Sequence, residues 1–232
     1  RRAVQNEEND VRRVQPRVGG AVRKAAAAAA RFLIDEPVNS LCATASALPI
    51  QSTQSTQSME TLSEHVDVLI AGCGTAGAIA AIQAGRAGAK TAVIEMHGQP
   101  GGTMTTGGVC CPMYFFSRDR QVIAGIGWEL AVKTMELDRL PLPDFMTPHK
   151  TRPSYGFTMN PHTFALVLEE ACREADVCLH YHEIVTGVRE TQGGWCIEST
   201  GKGVRRETVA KQIVDCTGDA DLVGLLGLAR EK

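Results

Sequence analysis

Residues 66–77 read Val-Asp-Val-Leu-Ile-Ala-Gly-Cys-Gly-Thr-Ala-Gly, an apolar run that feeds directly into Gly-x-Gly-x-x-Gly. A small-residue helix is expected over 78–87, and a second apolar run, 91–94, ends in Glu95. Strand, glycine turn, helix, strand and acid in that order make a βαβ unit suited to a dinucleotide. Gly72 permits the tight turn out of the strand, Gly74 lets the backbone approach a pyrophosphate, and Gly77 lets the helix pack close to the sheet. The helix N-terminus offers N–H groups and a positive dipole end to phosphate oxygens. Glu95 follows Gly77 after seventeen intervening residues. At the tip of the second strand its carboxylate is placed to accept hydrogen bonds from a ribose diol, and it disfavours a 2′-phosphorylated cofactor. The motif alone does not separate NAD from FAD.

Two further stretches bear on that choice. A glycine-rich loop, Gly98-Gln99-Pro100-Gly101-Gly102-Thr103-Met104-Thr105-Thr106-Gly107-Gly108, comes just after Glu95. Near the other end, the apolar run Gln212-Ile213-Val214-Asp215 leads into Cys216-Thr217-Gly218-Asp219 and then a helical stretch. With residues 67–77, Glu95, 101–108, Thr186-Gly187-Val188 and 214–221 together, the chain resembles the FAD-dependent oxidoreductase family of the two-dinucleotide-motif type. That group includes the flavoprotein subunit of heterodisulfide reductase. The resemblance runs from about residue 64 to 229.

It implies an α/β fold: a Rossmann-like, doubly wound FAD-binding sheet with an inserted β-meander and part of a substrate domain. It implies FAD as cofactor, with Gly72, Gly74, Thr75, Ala76, Gly77 and Glu95 at the ADP half and the backbone of Val185 against the adenine. Gly101, Gly102, Thr103 and Thr105 would lie along the ribityl–flavin portion, and Gly218 and Asp219 near the pyrophosphate or ribityl chain. For Asp219 a second role, as N-cap of a helix over 220–228, is compatible with the first. Hydride or electrons would pass between a small organic substrate and the flavin, with an unidentified electron partner. Some members of the heterodisulfide reductase group bind iron–sulfur clusters, but no cluster motif is visible in this chain. An NAD-dependent dehydrogenase and a non-catalytic, incomplete dinucleotide-binding fragment are the competing readings. No catalytic acid or base is assigned.

Composition narrows the classes further. The chain has 232 residues, is 44% hydrophobic and 22% charged, and carries a formal net charge of −2. That balance gives no electrostatic case for nucleic acid or an anionic membrane. No apolar run approaches the roughly 20 residues a membrane-spanning helix needs. The eight cysteines are scattered without a Cys-x-x-Cys pair, which points to free thiols and a cytoplasmic protein. Residues 1–58 read as a low-complexity or disordered extension with a short alanine-rich helix over 22–34 and a Ser/Thr/Gln linker. Residues 59–232 read as the FAD-binding domain, with Met59 as the expected natural start and a closing segment expected beyond Lys232.

Between the motifs, helices are expected over 125–138 and from Asn160-Pro161 to 175, the latter with Asn as N-cap and Pro at the first position. A proline-bearing loop covers 140–159. A strand over 177–181, a hairpin of 184–190 and 194–199, and a strand over 207–215 follow. Tyr114, His149, Tyr155 and His162 fall in segments able to face a substrate, and Arg152 suits a carboxylate, but surface and loop roles account for them as well. Cys178, His180 and His182 alternate along one strand and so would share one face. That spacing suits a metal, yet a solvent-facing strand is the plainer reading and no metal is expected. Cys110 and Cys111 are adjacent, a geometry that strains a mutual disulfide.

Overall fold

The first apolar run forms the second half of a longer strand, β1 (Glu60–Ala71). The computed structural model describes residues 59–117, 120–142 and 156–230, all within one unit, Gln57–Lys232. Along β1 the early residues are exposed or half-buried, while Leu69, Ile70 and Ala71 are buried. The reason is pairing. Residues 68–71 lie between β2 (Thr91–Glu95) and β8 (Val204–Asp215), whereas β8 alone accompanies β1 from its first residue.

Six strands form one sheet in the order β5-β2-β1-β8-β7-β6, where β5 is Cys178–Tyr181, β6 Glu183–Thr191 and β7 Gly194–Gly201. The first four are mutually parallel. The strands β8, β7 and β6 run antiparallel to one another as a meander. A second, two-stranded sheet pairs β3 (Phe116–Ser117) with β4 (Arg120–Gln121). This is the expected Rossmann-like α/β sheet with an inserted antiparallel piece.

The two faces of the parallel part are covered differently. On one face Ile70 and Val93 pack with Ala78, Ala81, Ile82, Leu130, Val167 and Leu168 from three helices. These are α1 (Thr75–Arg86), α2 (Ile126–Leu137) and α3 (Pro161–Glu174). On the other face Leu69, Ala92 and Ile94 pack with Ile197 and Ala210 and, more loosely, Val185, Val188 and Trp195 of the meander. β2 is therefore buried along its whole length. Strands covered on both faces read as continuous apolar runs, which is why 91–94 shows no alternation. Each such aliphatic side chain contributes about 1.5–3 kcal/mol on burial.

Helix α3 starts as expected: Asn160 Oδ1 accepts the His162 N–H at 3.0 Å, and Pro161 takes the first position. The segment ahead of α2 is anchored by aromatic contacts, Phe115–Trp128 at 5.1 Å and Phe116–Trp128 at 5.6 Å between ring centroids. The structure departs from expectation in several places. Helix α1 begins at Thr75 and so includes Gly77. Both β1 and β8 start earlier because each is the other's template. The last helix, α4, is only Asp221–Leu225. The β3–β4 pair was not foreseen. The expected helix over 22–34, the linker and residues 143–155 lie outside the described residues. Among the described residues no helix is long and apolar enough to cross a membrane.

The small residues of α1 are a packing requirement. A Cβ on Gly85 would overlap the carbonyl oxygen of Ala175, the residue that ends α3. Gly85→Ala gains about 1 kcal/mol of helix propensity but forces the two helices apart. A net loss of about 1–3 kcal/mol in unfolding free energy is expected in urea titration. Equal or higher stability would show that α1 and α3 are not in this contact.

Candidate functional site

The turn after β1 is held from three sides. Gly72 has φ +89°, and a Cβ there would overlap the Cys216 carbonyl. Its N–H donates to the Ile94 carbonyl oxygen at 2.7 Å. A Cβ on Gly77 would in turn overlap the Gly72 carbonyl oxygen. β1, β2, β8 and α1 thus meet at one point, at the carboxyl ends of parallel strands, where open α/β sheets bind ligands.

Helix α1 begins there without a cap. Gly74 at the cap position makes no side-chain capping hydrogen bond among the described residues, and the first turn has no acidic residue. Gly74 has ordinary extended backbone, and a Cβ on it would meet nothing within 4 Å. The space it faces is a cavity of about 720 Å³, walled by Gly72, Gly74, Thr75 and Ala76 at this end. A helix start of this kind, with no side chain in the way, is chemically suited to an anion.

Glu95 sits on the same wall and is 4% exposed. Its carboxylate is already partly engaged: Oε2 accepts the Cys73 N–H at 2.7 Å and Oε1 the His97 N–H at 2.8 Å. A carboxylate offers about four acceptor sites, so it retains capacity for hydroxyl donors. The glycine-rich loop closes the next side. Gly102, Thr103, Thr106 and Gly107 line the cavity. Gly101 and Thr105 do not; they shape the loop from behind. The Gly101 N–H donates to the Cys73 carbonyl at 2.7 Å, the Thr75 hydroxyl to the Gly101 carbonyl at 3.2 Å, and the buried Thr105 hydroxyl to the Pro100 carbonyl at 2.6 Å. Gly77 is likewise behind the wall, as a packing residue.

The far side is made by the end of β8 and the start of β6: Cys216, Thr217, Gly218 and Asp219, with Glu183, Ile184 and Val185. Asp219 does not cap the helix that follows. The residue ahead of α4 is Ala220, at φ 57°, and it carries no capping hydrogen bond. Capping falls to Asp215 and Thr217. Asp215 accepts the Thr217 hydroxyl at 2.7 Å and the N–H groups of Thr217 and Val223 at 3.1 and 3.2 Å, and Thr217 Oγ1 accepts the Asp221 N–H at 2.9 Å. Burial raises the Asp215 pKa, but the bonds from Thr217 and the backbone outweigh it and hold the carboxyl below its ordinary value. Arg230 adds a strap, donating to the Asp219 and Ala220 carbonyls at 3.1 and 2.8 Å.

Some titratable groups on or just behind the wall are held by their neighbours. Burial works against the Glu183 carboxylate, yet Arg206 and Ser199 hold it below the ordinary range, with Arg206 Nη2 at 2.9 Å and Ser199 Oγ at 2.7 Å. Glu183 thereby positions Ile184 and Val185 and is not poised to take a proton. The Cys73 thiol, bonded to that of Cys172 and buried, is pushed well above its ordinary value, and burial does the same to Cys216. Neither thiol is a ready nucleophile.

Of the other candidates, Tyr114 and His162 are exposed and away from the cavity wall. His149, Arg152 and Tyr155 lie outside the described residues. Cys178 and His180 stand together on β5, but His182 follows the strand at φ 60° and leaves their face. Met96, His97 and Ile184 line the cavity without any local sequence pattern that marks them. Asp215, not foreseen as a cap, does carry one: its two-residue spacing to Thr217 is the pattern of a side chain bonding its own backbone.

Sequence comparison matches residues 67–232 to the family described as FAD dependent oxidoreductase. No protein of curated function matches the chain. Among solved structures it is similar to an anhydrotetracycline hydroxylase from Streptomyces rimosus (20% identity, TM-score 0.51, 70% of this chain and 34% of that one). It is also similar to a p-nitrophenol 4-monooxygenase from Pseudomonas putida (16%, TM-score 0.50, 75% and 45%). A geranylgeranyl bacteriochlorophyll reductase-like protein from Thermoplasma acidophilum matches at 16% identity and TM-score 0.50, over 72% and 43%. At these identities the likeness is one of fold. The chain spans between about a third and somewhat under half of the length of these structures.

The Asp215 network has a pH signature. Its depressed folded pKa means that its contribution is present above the ordinary carboxylate value of 3.8 and is lost as pH falls through the lower folded value. Asp215→Ala should cost roughly 1–3 kcal/mol at pH 7, and the difference from the parent should shrink below about pH 3.5. Denaturant unfolding of both proteins across pH 3–7 measures this; a difference that stays constant to pH 3 would contradict it.

Proposed function

We propose, for a chain that belongs to the FAD dependent oxidoreductase family, that FAD lies in the cavity at the carboxyl ends of β1, β2 and β8, and that the chain carries the flavin site of an oxidoreductase acting on a small organic substrate. The observation that carries this reading is the uncapped start of α1 opening into a cavity whose wall also holds Glu95, the 102–107 loop and Gly218. Bound flavin supplies the redox chemistry, exchanging hydride or electrons with a substrate. The chain's own residues bind and orient. In this reading Thr75 and Ala76, with Gly74 leaving room, receive the pyrophosphate; Glu95 takes the ribose diol; and Ile184 and Val185 flank the adenine end. Gly102, Thr103, Gly218 and Asp219 hold the ribityl side. Gly77, Gly101 and Thr105 act one layer back, by fixing the turn and the loop.

An NAD-linked dehydrogenase would use the same glycines and Glu95 but would leave the 102–107 and 216–219 walls without a ligand to contact, so their presence on one cavity favours FAD. The narrower kinship with the heterodisulfide reductase flavoprotein is proposed from the same matching segments, 67–77, Glu95, 101–108, 186–188 and 214–221, and iron bound in stoichiometric amount would support it. A redox partner belongs to the same reading, as does a cytoplasmic location, which rests on the unpaired spacing of the cysteines.

FAD titration followed by quenching of flavin fluorescence tests the assignment. A valine side chain at position 74 would enter the space where nothing now lies within 4 Å, so Gly74→Val should weaken FAD binding by roughly a hundredfold or more while the fold is kept, since the added Cβ meets no protein atom. Glu95→Gln loses one charge-assisted acceptor and should weaken it by about tenfold. Unchanged affinity in a folded Gly74→Val protein would overturn the site.

A further inference from the structure

Among the described residues, a set of metal-ligating side chains lies away from the cavity wall. Glu64 on β1 and Cys178 and His180 on β5 bring a carboxylate oxygen, a thiol sulfur and an imidazole nitrogen within 4.8 Å of one another. They come from strands separated by β2 in the sheet and by 116 residues between Glu64 and His180. The Glu64 and His180 side chains are 19% and 11% exposed, and Cys178 is exposed, so the cluster is sheltered on one side and open to solvent on the other.

Two neighbours converge on one atom. Glu64 Oε1 lies 2.9 Å and Cys178 Sγ 3.7 Å from the same nitrogen, His180 Nε2. A neutral imidazole nitrogen has either one proton or one lone pair, so it serves one of these partners at a time. A cation at the centre of the three removes that competition, since the lone pair, the thiolate and the carboxylate then all face it.

We propose that Glu64, Cys178 and His180 form a site for a borderline-soft divalent cation of the zinc class, with water in the fourth position. Tetrahedral zinc with Zn–S of about 2.3 Å and Zn–N of about 2.0–2.1 Å sets sulfur and nitrogen about 3.5–3.6 Å apart, close to the 3.7 Å seen here. The nitrogen–oxygen pair opens by a few tenths of an ångström. Thiolate and imidazole donors select zinc over magnesium or calcium, which take oxygen ligands. The Thr208 hydroxyl donates to Glu64 Oε1 at 2.8 Å and orients the carboxylate, as outer-shell partners of metal ligands do. The nearby guanidinium of Arg206 is taken by Glu183. His182 is not part of the set: its ring lies beside Gly98. The bound cation would clip the edge strand β5 to the part of β1 from which β8 and the meander extend.

The test uses the whole chain, stripped with a chelator and titrated with zinc against a chromophoric competitor. One zinc per chain is expected, and at a hundredfold excess over Kd the thermal midpoint should rise by about 5–10 °C. Zinc should slow alkylation of Cys178 at least tenfold, read by peptide mass, with the exposed Cys111 as the unaffected control. Cys178→Ser and His180→Gln should each lose the zinc. If either variant fails to fold, alkylation of the parent chain decides. No zinc uptake, uptake undiminished in a folded Cys178→Ser protein, or equal protection of Cys111 and Cys178 would each overturn the proposal.

Discussion

The buried carboxylate of Glu95 is the constraint on which the site depends. By accepting the N–H of Cys73 it ties the glycine turn to the tip of β2, and by accepting that of His97 it directs the chain leaving β2 toward the glycine-rich loop. Charge-assisted bonds of this kind are about twice as strong as neutral ones. The turn they hold is also the point at which Gly77 rests against the Gly72 carbonyl and Gly72 against Cys216. Three parallel strands and a helix therefore share one joint, and the orientation of the α1 start follows from it.

Around that joint the fold divides its work. The helical layer packs on one face of the parallel strands and the meander on the other, which leaves the carboxyl ends of the strands as an open edge. Cavity walls come from loops fixed at both ends: 98–108 by Gly101 and Thr105, 215–221 by Asp215, Thr217 and Arg230. The groups facing the cavity are thus mostly backbone and small side chains. Of its carboxylates, Glu95, Glu183 and Asp221 are bound to protein partners, and burial pushes the Cys216 thiol pKa up. This arrangement suits holding a cofactor whose own ring does the chemistry.

How much of this was legible depended on sequence distance. The βαβ unit was readable because its signals, the glycine spacing, the small residues of α1 and the acid at 95, fall within one continuous stretch, 66–95, although Gly72 and Gly85 also meet Cys216 and Ala175 far along the chain. Asn160-Pro161 announced α3, and Gln192-Gly193-Gly194 the β6–β7 turn, for the same reason. The early half of β1 was not readable. Glu60-Thr61-Leu62-Ser63 has no strong apolar pattern, and it is a strand only because β8, far along the chain, pairs with it. Asp219 looked like a helix cap because it precedes an apolar run, but the left-handed Ala220 puts a bend between them. His182 was assigned to the face of Cys178 and His180 by a period of two that ended one residue earlier, at Tyr181. The partner that does join them, Glu64, comes from another strand.

FAD as the occupant of the cavity at the α1 start is the claim on which every proposed role of the cavity residues depends. The most direct measurement is the visible absorbance spectrum of the purified chain, before and after incubation with excess FAD and desalting, with mass identification of the molecule released on denaturation. Oxidised-flavin bands and FAD near one equivalent per chain are the predicted result. A folded chain that stays colourless after incubation, or that retains NAD in place of FAD, would contradict it.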